Sequence, residues 1–104
     1  MSDGRFTEAF VRAHGRRGWG PLKIAAALRE RGVDTEHIQV CVDSGGAAWL
    51  DAAQTARVRR FGAAAPQQFE ERARQARFLQ SRGFTAEQIR HALGGGGDVG
   101  DDID

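Results

Sequence analysis

The sequence predicts an all-α fold of two tandem three-helix repeats in an elongated, crescent-like arrangement. Three observations carry that expectation. Apolar residues recur at helical spacing between breaks of Gly, Pro and small polar residues; no stretch alternates as a half-buried strand does; and the chain matches itself at a shift of 51 positions. At 104 residues there is room for one domain or two small helical units, and a ~250-residue barrel enzyme is excluded.

The first helix is expected from Asp3 to Arg16, with Phe6, Ala9, Phe10 and Ala13 at i, i+3, i+4, i+7 as its inward stripe. Gly15 and Gly18 end it. Pro21 suits the first turn of a second helix, where its missing N–H costs nothing. That helix turns Ile24, Ala27 and Leu28 inward and stops at Gly32. A third runs from Asp34 to about Asp43, burying Ile38 and Val42. Ser44-Gly45-Gly46 then breaks the chain, so residues 1–45 form the first repeat and 46–93 the second. In the second, a fourth helix spans Ala47 to Phe61, with Trp49, Ala53, Ala56 and Arg60 along one edge and Trp49 packed between the repeats. Trp19 is expected as a packed turn residue. Pro66 opens a fifth helix ending near Arg82-Gly83, and a sixth runs from Thr85 to Leu93. Residues 94–104, GGGGDVGDDID, hold too little apolar content to fold and are expected to be a disordered acidic tail.

The internal match is specific. A shift of 51 pairs Leu28 with Leu79, Arg31 with Arg82, Gly32 with Gly83, Glu36 with Glu87 and Ile38 with Ile89. In both copies Gly supplies a left-handed helix cap, and Val33 or Phe84 precedes an N-cap, Asp34 or Thr85. Ile38 or Ile89 then falls where a hydrophobic staple closes. Thr85 and Gln88 add a capping box.

Net charge is +1, but its parts are unevenly placed. The last eleven residues hold four of the fourteen acids and no base, which leaves 15 bases against 10 acids, or +5, on the other 93. Fourteen of the bases are Arg, a planar fork suited to carboxylates, phosphates and aromatic faces. No apolar run reaches the ~20 residues of a membrane span, and without a basic stretch followed by an apolar one at the start no signal peptide is expected. One cysteine, Cys41, makes no internal disulfide, as fits a reducing cytoplasm.

Catalytic and metal chemistry find little support. His37 and Cys41 share a helical face at i, i+4, but two ligands do not make a zinc site. Glu70 and Glu71 are spaced for surface pairing with Arg74. The glycine run at 94–97 follows no strand and so is no phosphate loop. We expect no enzyme activity, metal or cofactor.

The strings Gly18-Trp19-Gly20-Pro21-Leu22-Lys23-Ile24 and Arg77-Phe78-Leu79-Gln80-Ser81-Arg82-Gly83-Phe84 resemble the RecX family of bacterial recombination regulators, as do Asp3–Phe6, Phe10-Val11 and Leu28–Val33. The likeness covers about residues 3–93. It implies a crescent of three-helix repeats, cytoplasmic and monomeric, that binds the RecA–single-stranded-DNA filament. Its binding would suppress RecA ATPase, strand exchange and coprotease activity in recombination and the SOS response. The family also implies affinity for DNA, single- or double-stranded. This chain holds two repeats where the family shows three, and its first repeat is expected to correspond to the family's second. On the basic body the contact candidates are Arg12, Arg16, Arg17, Lys23, Arg57, Arg60, Arg74 and Arg77. The rival reading is a nucleic-acid-binding helical module that acts without RecA, and a blander one is a helical fragment without autonomous activity.

Overall fold

The computed structural model describes residues 3–94, which form six α-helices and, among the described residues, no strand. They are α1 (Asp3–Arg16), α2 (Pro21–Glu30), α3 (Thr35–Cys41), α4 (Ala48–Phe61), α5 (Phe69–Ser81) and α6 (Ala86–Ala92). The acidic tail expected at 94–104 lies, past Gly94, outside the described residues.

Helices α1, α2 and α3 pack on one another, as do α4, α5 and α6. The first group closes over Phe10, Ile24, Ala25, Leu28, Ile38 and Val42. The second closes over Ala53, Ala56, Leu79, Phe84 and Ala92, a core of smaller side chains. Burying a Leu, Ile or Phe fully is worth ~1.5–3 kcal/mol, so the fully enclosed Ile24, Leu28, Leu79 and Phe84 anchor the two cores. Trp49 packs against both and Trp19 against the first, as their positions beside glycine breaks suggested.

The 51-residue match reappears as geometry. At the end of α2, Gly32 takes φ +87° and Val33 N–H donates to the Leu28 carbonyl at 3.1 Å. At the end of α5, Gly83 takes φ +95° and Phe84 N–H donates to the Leu79 carbonyl at 3.2 Å. Both are the same left-handed helix stop. The expected capping box on α6 is present, with Thr85 and Gln88 exchanging hydrogen bonds of 2.9 and 3.2 Å. Asp34 sits at the corresponding place on α3 without a side-chain cap bond.

Three expectations change. The inward face of α1 is not Phe6-Ala9-Phe10-Ala13: Phe6 is 47% exposed and both alanines face solvent, while Thr7 is fully buried beside Phe10. The face is Gly4, Thr7, Phe10 and His14, because α3 presses closely on it, with His37 3.6 Å from the place a Gly4 side chain would start. Alanine costs little in water, so its position says little about which face is covered. The fifth helix begins at Phe69 rather than Pro66. Residues 62–68 instead form a loop whose carbonyls are gripped by side chains: Arg72 reaches Pro66 O at 3.3 Å, and Arg57 reaches Ala64 O at 3.1 Å. Finally, of the α4 edge named above, Ala53 and Ala56 are buried and Arg60 is exposed, and Arg57, expected at the surface, is buried beside them.

The two groups of helices meet backbone to backbone. The N–H of Gly20 donates to Arg82 O, and that of Leu22 to Gly83 O at 2.8 Å. A Cβ on Gly20 would lie 2.6 Å from Phe84 N, and one on Gly83 would overlap the main chain of Lys23. The two strings that stood out in the sequence are therefore the two halves of one joint. Gln88 adds a tie from α6 to Ser44 O at 2.6 Å.

Candidate functional site

The joint sets the C-terminal end of α1 beside α4, and a trough runs between them along one stripe of α4: Ala48, Ala52, Ala56 and Arg60, each four residues from the last. At its upper end Val11, Arg12, Gly15 and Arg16 face Ala48, Trp49 and Ala52 across a hollow of about 330 Å³. At its lower end Arg17 and Gly18 face Ala56, Arg59 and Arg60, with Phe78 of α5 and Arg82 just past its end on the far wall of an open hollow of about 180 Å³. No carboxylate lines either hollow. Six arginines from three elements thus border a groove with an aromatic side chain in each half, which gives a strongly positive field over a partly apolar floor.

Local structure explains how each side chain arrives. Arg16 falls in the last turn of α1 and Arg59 and Arg60 in the last turn of α4, where cations complement the helix dipole. Arg59 donates to Arg16 O at 3.3 Å, so one wall of the groove is bonded to the other. Along the outer side a ladder of guanidiniums and rings continues the positive surface. Arg82 lies over Phe78 at 5.0 Å, Arg60 over both Phe78 and Phe61 at 5.7 and 5.4 Å, and Arg74 over Phe61 at 5.1 Å. Phe61 and Phe78 meet edge to face at 5.3 Å. Exposed cation–π contacts of this kind contribute ~0.5–1 kcal/mol each.

Of the eight contact candidates, Arg12, Arg16, Arg17 and Arg60 border the groove. Lys23 is half-buried at the joint with Nζ 4.6 Å from the Trp19 ring. Arg74 pairs with Glu71 at 2.9 Å, and Arg77 is exposed away from the groove. Arg57 has to be corrected: it is 2% exposed and spends its guanidinium on the carbonyls of Gly62, Ala63 and Ala64 and on Gln75. It organises the α4–α5 loop and is unavailable to a partner. Arg59 and Arg82 take its place. Arg59 was visible as the neighbour of Arg60 on the edge that continues from Trp49 and Ala56, whereas Arg82 reaches the groove only through the joint.

Titrating groups elsewhere are structural. The Gln75 amide, with Arg74 alongside, holds the Glu71 carboxyl below the usual range, partly offset by burial. Burial, with a smaller contribution from Glu8, pushes the Cys41 thiol up, so it stays protonated at neutral pH. Its sulfur sits 3.9 Å from His37 Nε2. Among the described residues no group of three His, Cys, Asp or Glu side chains gathers as a metal ion would require, and no helix is long and apolar enough to cross a membrane.

Comparison with known proteins matches both halves of this chain. Residues 2–40 match the family described as "RecX, second three-helix domain", and residues 50–93 "RecX, third three-helix domain". The Regulatory protein RecX of Halorhodospira halophila is 48% identical over 92 residues, covering 88% of this chain and 57% of that protein. That of Chromohalobacter salexigens is 42% identical over 93 residues, or 89% and 60%. The Regulatory protein RecX of Pseudomonas savastanoi is 36% identical over 102 residues, or 98% and 64%. The chain therefore spans about three fifths of the length of these relatives.

Proposed function

The chain belongs to the RecX family of regulatory proteins, and from that membership we propose that it regulates homologous recombination and the SOS response without catalysis, by binding the RecA–single-stranded-DNA filament. The observation that carries this reading is the groove between the two helix groups. Its six arginines meet no lining carboxylate, so an acidic partner surface or a phosphate backbone is the complement that would relieve their mutual repulsion. Bound there, the chain biases the filament toward a conformation that hydrolyses ATP slowly and supports strand exchange and coprotease activity poorly. It acts as a monomer in the cytoplasm.

The test is RecA ATP hydrolysis on single-stranded DNA with increasing amounts of this chain. A falling rate, blunted in an Arg12→Gln, Arg16→Gln double variant, is the expected result. An unchanged rate at saturating chain overturns the proposal.

The ladder of Arg60, Arg74 and Arg82 on Phe61 and Phe78 favours a second reading, a nucleic-acid module that acts without RecA, since bases stack on such surfaces. It predicts strong binding to DNA alone, weakening steeply with salt, and no response from RecA.

A further inference from the structure

We propose that the lower hollow of the groove is a binding site for a single phosphoryl group, held by Arg17, Arg59, Arg60 and Arg82. The first argument is charge. Four permanently charged guanidiniums from the ends of α1, α4 and α5 border about 180 Å³ with no carboxylate among them, and the only ion pair among the described residues, Arg74–Glu71, lies elsewhere. Like charges gathered in a concave, partly apolar space repel one another, and an oxyanion placed among them removes that repulsion.

The second argument is donor geometry. Arg59 is anchored by its bond to Arg16 O, which fixes one guanidinium at the rim. Arg60 and Arg82 both lie over the Phe78 ring, at 5.7 and 5.0 Å from its centre. Stacking occupies the flat face of a guanidinium and leaves its N–H donors, which lie in its plane, free to form a fork. Of the four guanidiniums, only that of Arg59 makes a hydrogen bond within the described residues. Arg17, Arg60 and Arg82 therefore keep all their guanidinium donors, which the several acceptor oxygens of a phosphoryl group match better than the two of a carboxylate. The hollow of about 180 Å³ is also large enough for one tetrahedral oxyanion.

Such a group comes either from a nucleic-acid backbone or from a free phosphate or pyrophosphate. The chemistry is shared, so the experiment separates the sources. Inorganic phosphate, pyrophosphate and a single-stranded oligonucleotide are titrated separately into ¹⁵N-labelled chain, with acetate at matched ionic strength as control. The expected result is saturable movement of the Gly18 amide and of the side-chain Nε–H signals of Arg60 and Arg82 with the phosphate ligands and not with acetate. An Arg59→Gln, Arg82→Gln double variant with an unchanged circular dichroism spectrum should weaken pyrophosphate binding at least tenfold, and Arg77→Gln should leave it unchanged. Oligonucleotide that displaces pyrophosphate assigns the site to a backbone phosphate; pyrophosphate that the oligonucleotide does not displace assigns it to the free anion. Signals that move equally at Arg77, or a double variant that titrates like the parent chain, overturn the site. No RecA is present, so the outcome is independent of the filament reading.

Discussion

Gly83 and Gly32 occupy the same place in two copies of one helix stop, and replacing each by alanine separates two costs that usually come together. Both have positive φ, so an alanine at either pays the strain of a left-handed conformation, ~1–2 kcal/mol. A side chain at Gly32 meets nothing within 4 Å. One at Gly83 meets the Lys23 main chain, which cannot swing aside, and forces apart the hydrogen bonds from Gly20 and Leu22. Those bonds contribute ~0.5–1.5 kcal/mol each, so Gly83→Ala should cost ~2–5 kcal/mol against ~1–2 for Gly32→Ala. Gly20→Ala completes the set. Its φ of −87° suits any residue, so its loss of ~1–3 kcal/mol should come from the blocked approach alone. Urea unfolding followed by circular dichroism measures all three. Equal losses at Gly83 and Gly32, or none at Gly20, would refute the idea that these glycines serve the contact between helix groups.

Arg57→Met should destabilise the chain by ~2–4 kcal/mol, because three loop carbonyls lose a charged donor, and the thermal midpoint should fall by more than ~8 °C. RecA and phosphate binding per folded molecule should be unaffected. Thr85→Ala removes half of the capping box on α6 and should cost about 1 kcal/mol in the same urea assay, whereas Asp34→Ala, which loses no cap bond, should cost less. Because the folded Glu71 carboxyl is held low, chiefly by Gln75, its stabilising share is present above the ordinary glutamate value of about 4.3 and disappears as pH falls through the folded value. A Glu71→Gln variant should therefore lose less stability on acidification below about pH 4.3 than the parent chain. Cys41 should react with iodoacetamide at neutral pH more slowly than free cysteine, the direction that a raised thiol pKa demands.

Helix number, the glycine stops and the second capping box were legible because each is written in a few adjacent residues. The inward face of α1 was not, since it depends on α3 pressing against Gly4, and alanines at 9 and 13 count as apolar in a pattern although water hardly penalises them. Arg57 misled for the opposite reason. Charge reads as surface, and nothing in one dimension shows that the carbonyls of residues 62–64 turn back to receive it. A self-match compares equivalent positions, so it aligned Gly83 with Gly32 and was silent on the contact of Gly83 with Gly20. The groove arginines follow the same division: Arg12 and Arg16 came from helix spacing, Arg17 from its place beside the Trp19 turn and Arg60 from the end of the fourth helix, while Arg82 required the joint.

That joint also has a mechanical meaning. The two halves of the chain are clipped together by peptide groups, whose attraction falls away steeply with distance and angle. A coupling of that sort behaves less like a spring than like a latch, shut over a small range and released beyond it. An object wedged between α1 and α4 pulls on that latch, and among the groove arginines only Arg59, bonded to Arg16 O, also ties one half to the other by a side chain.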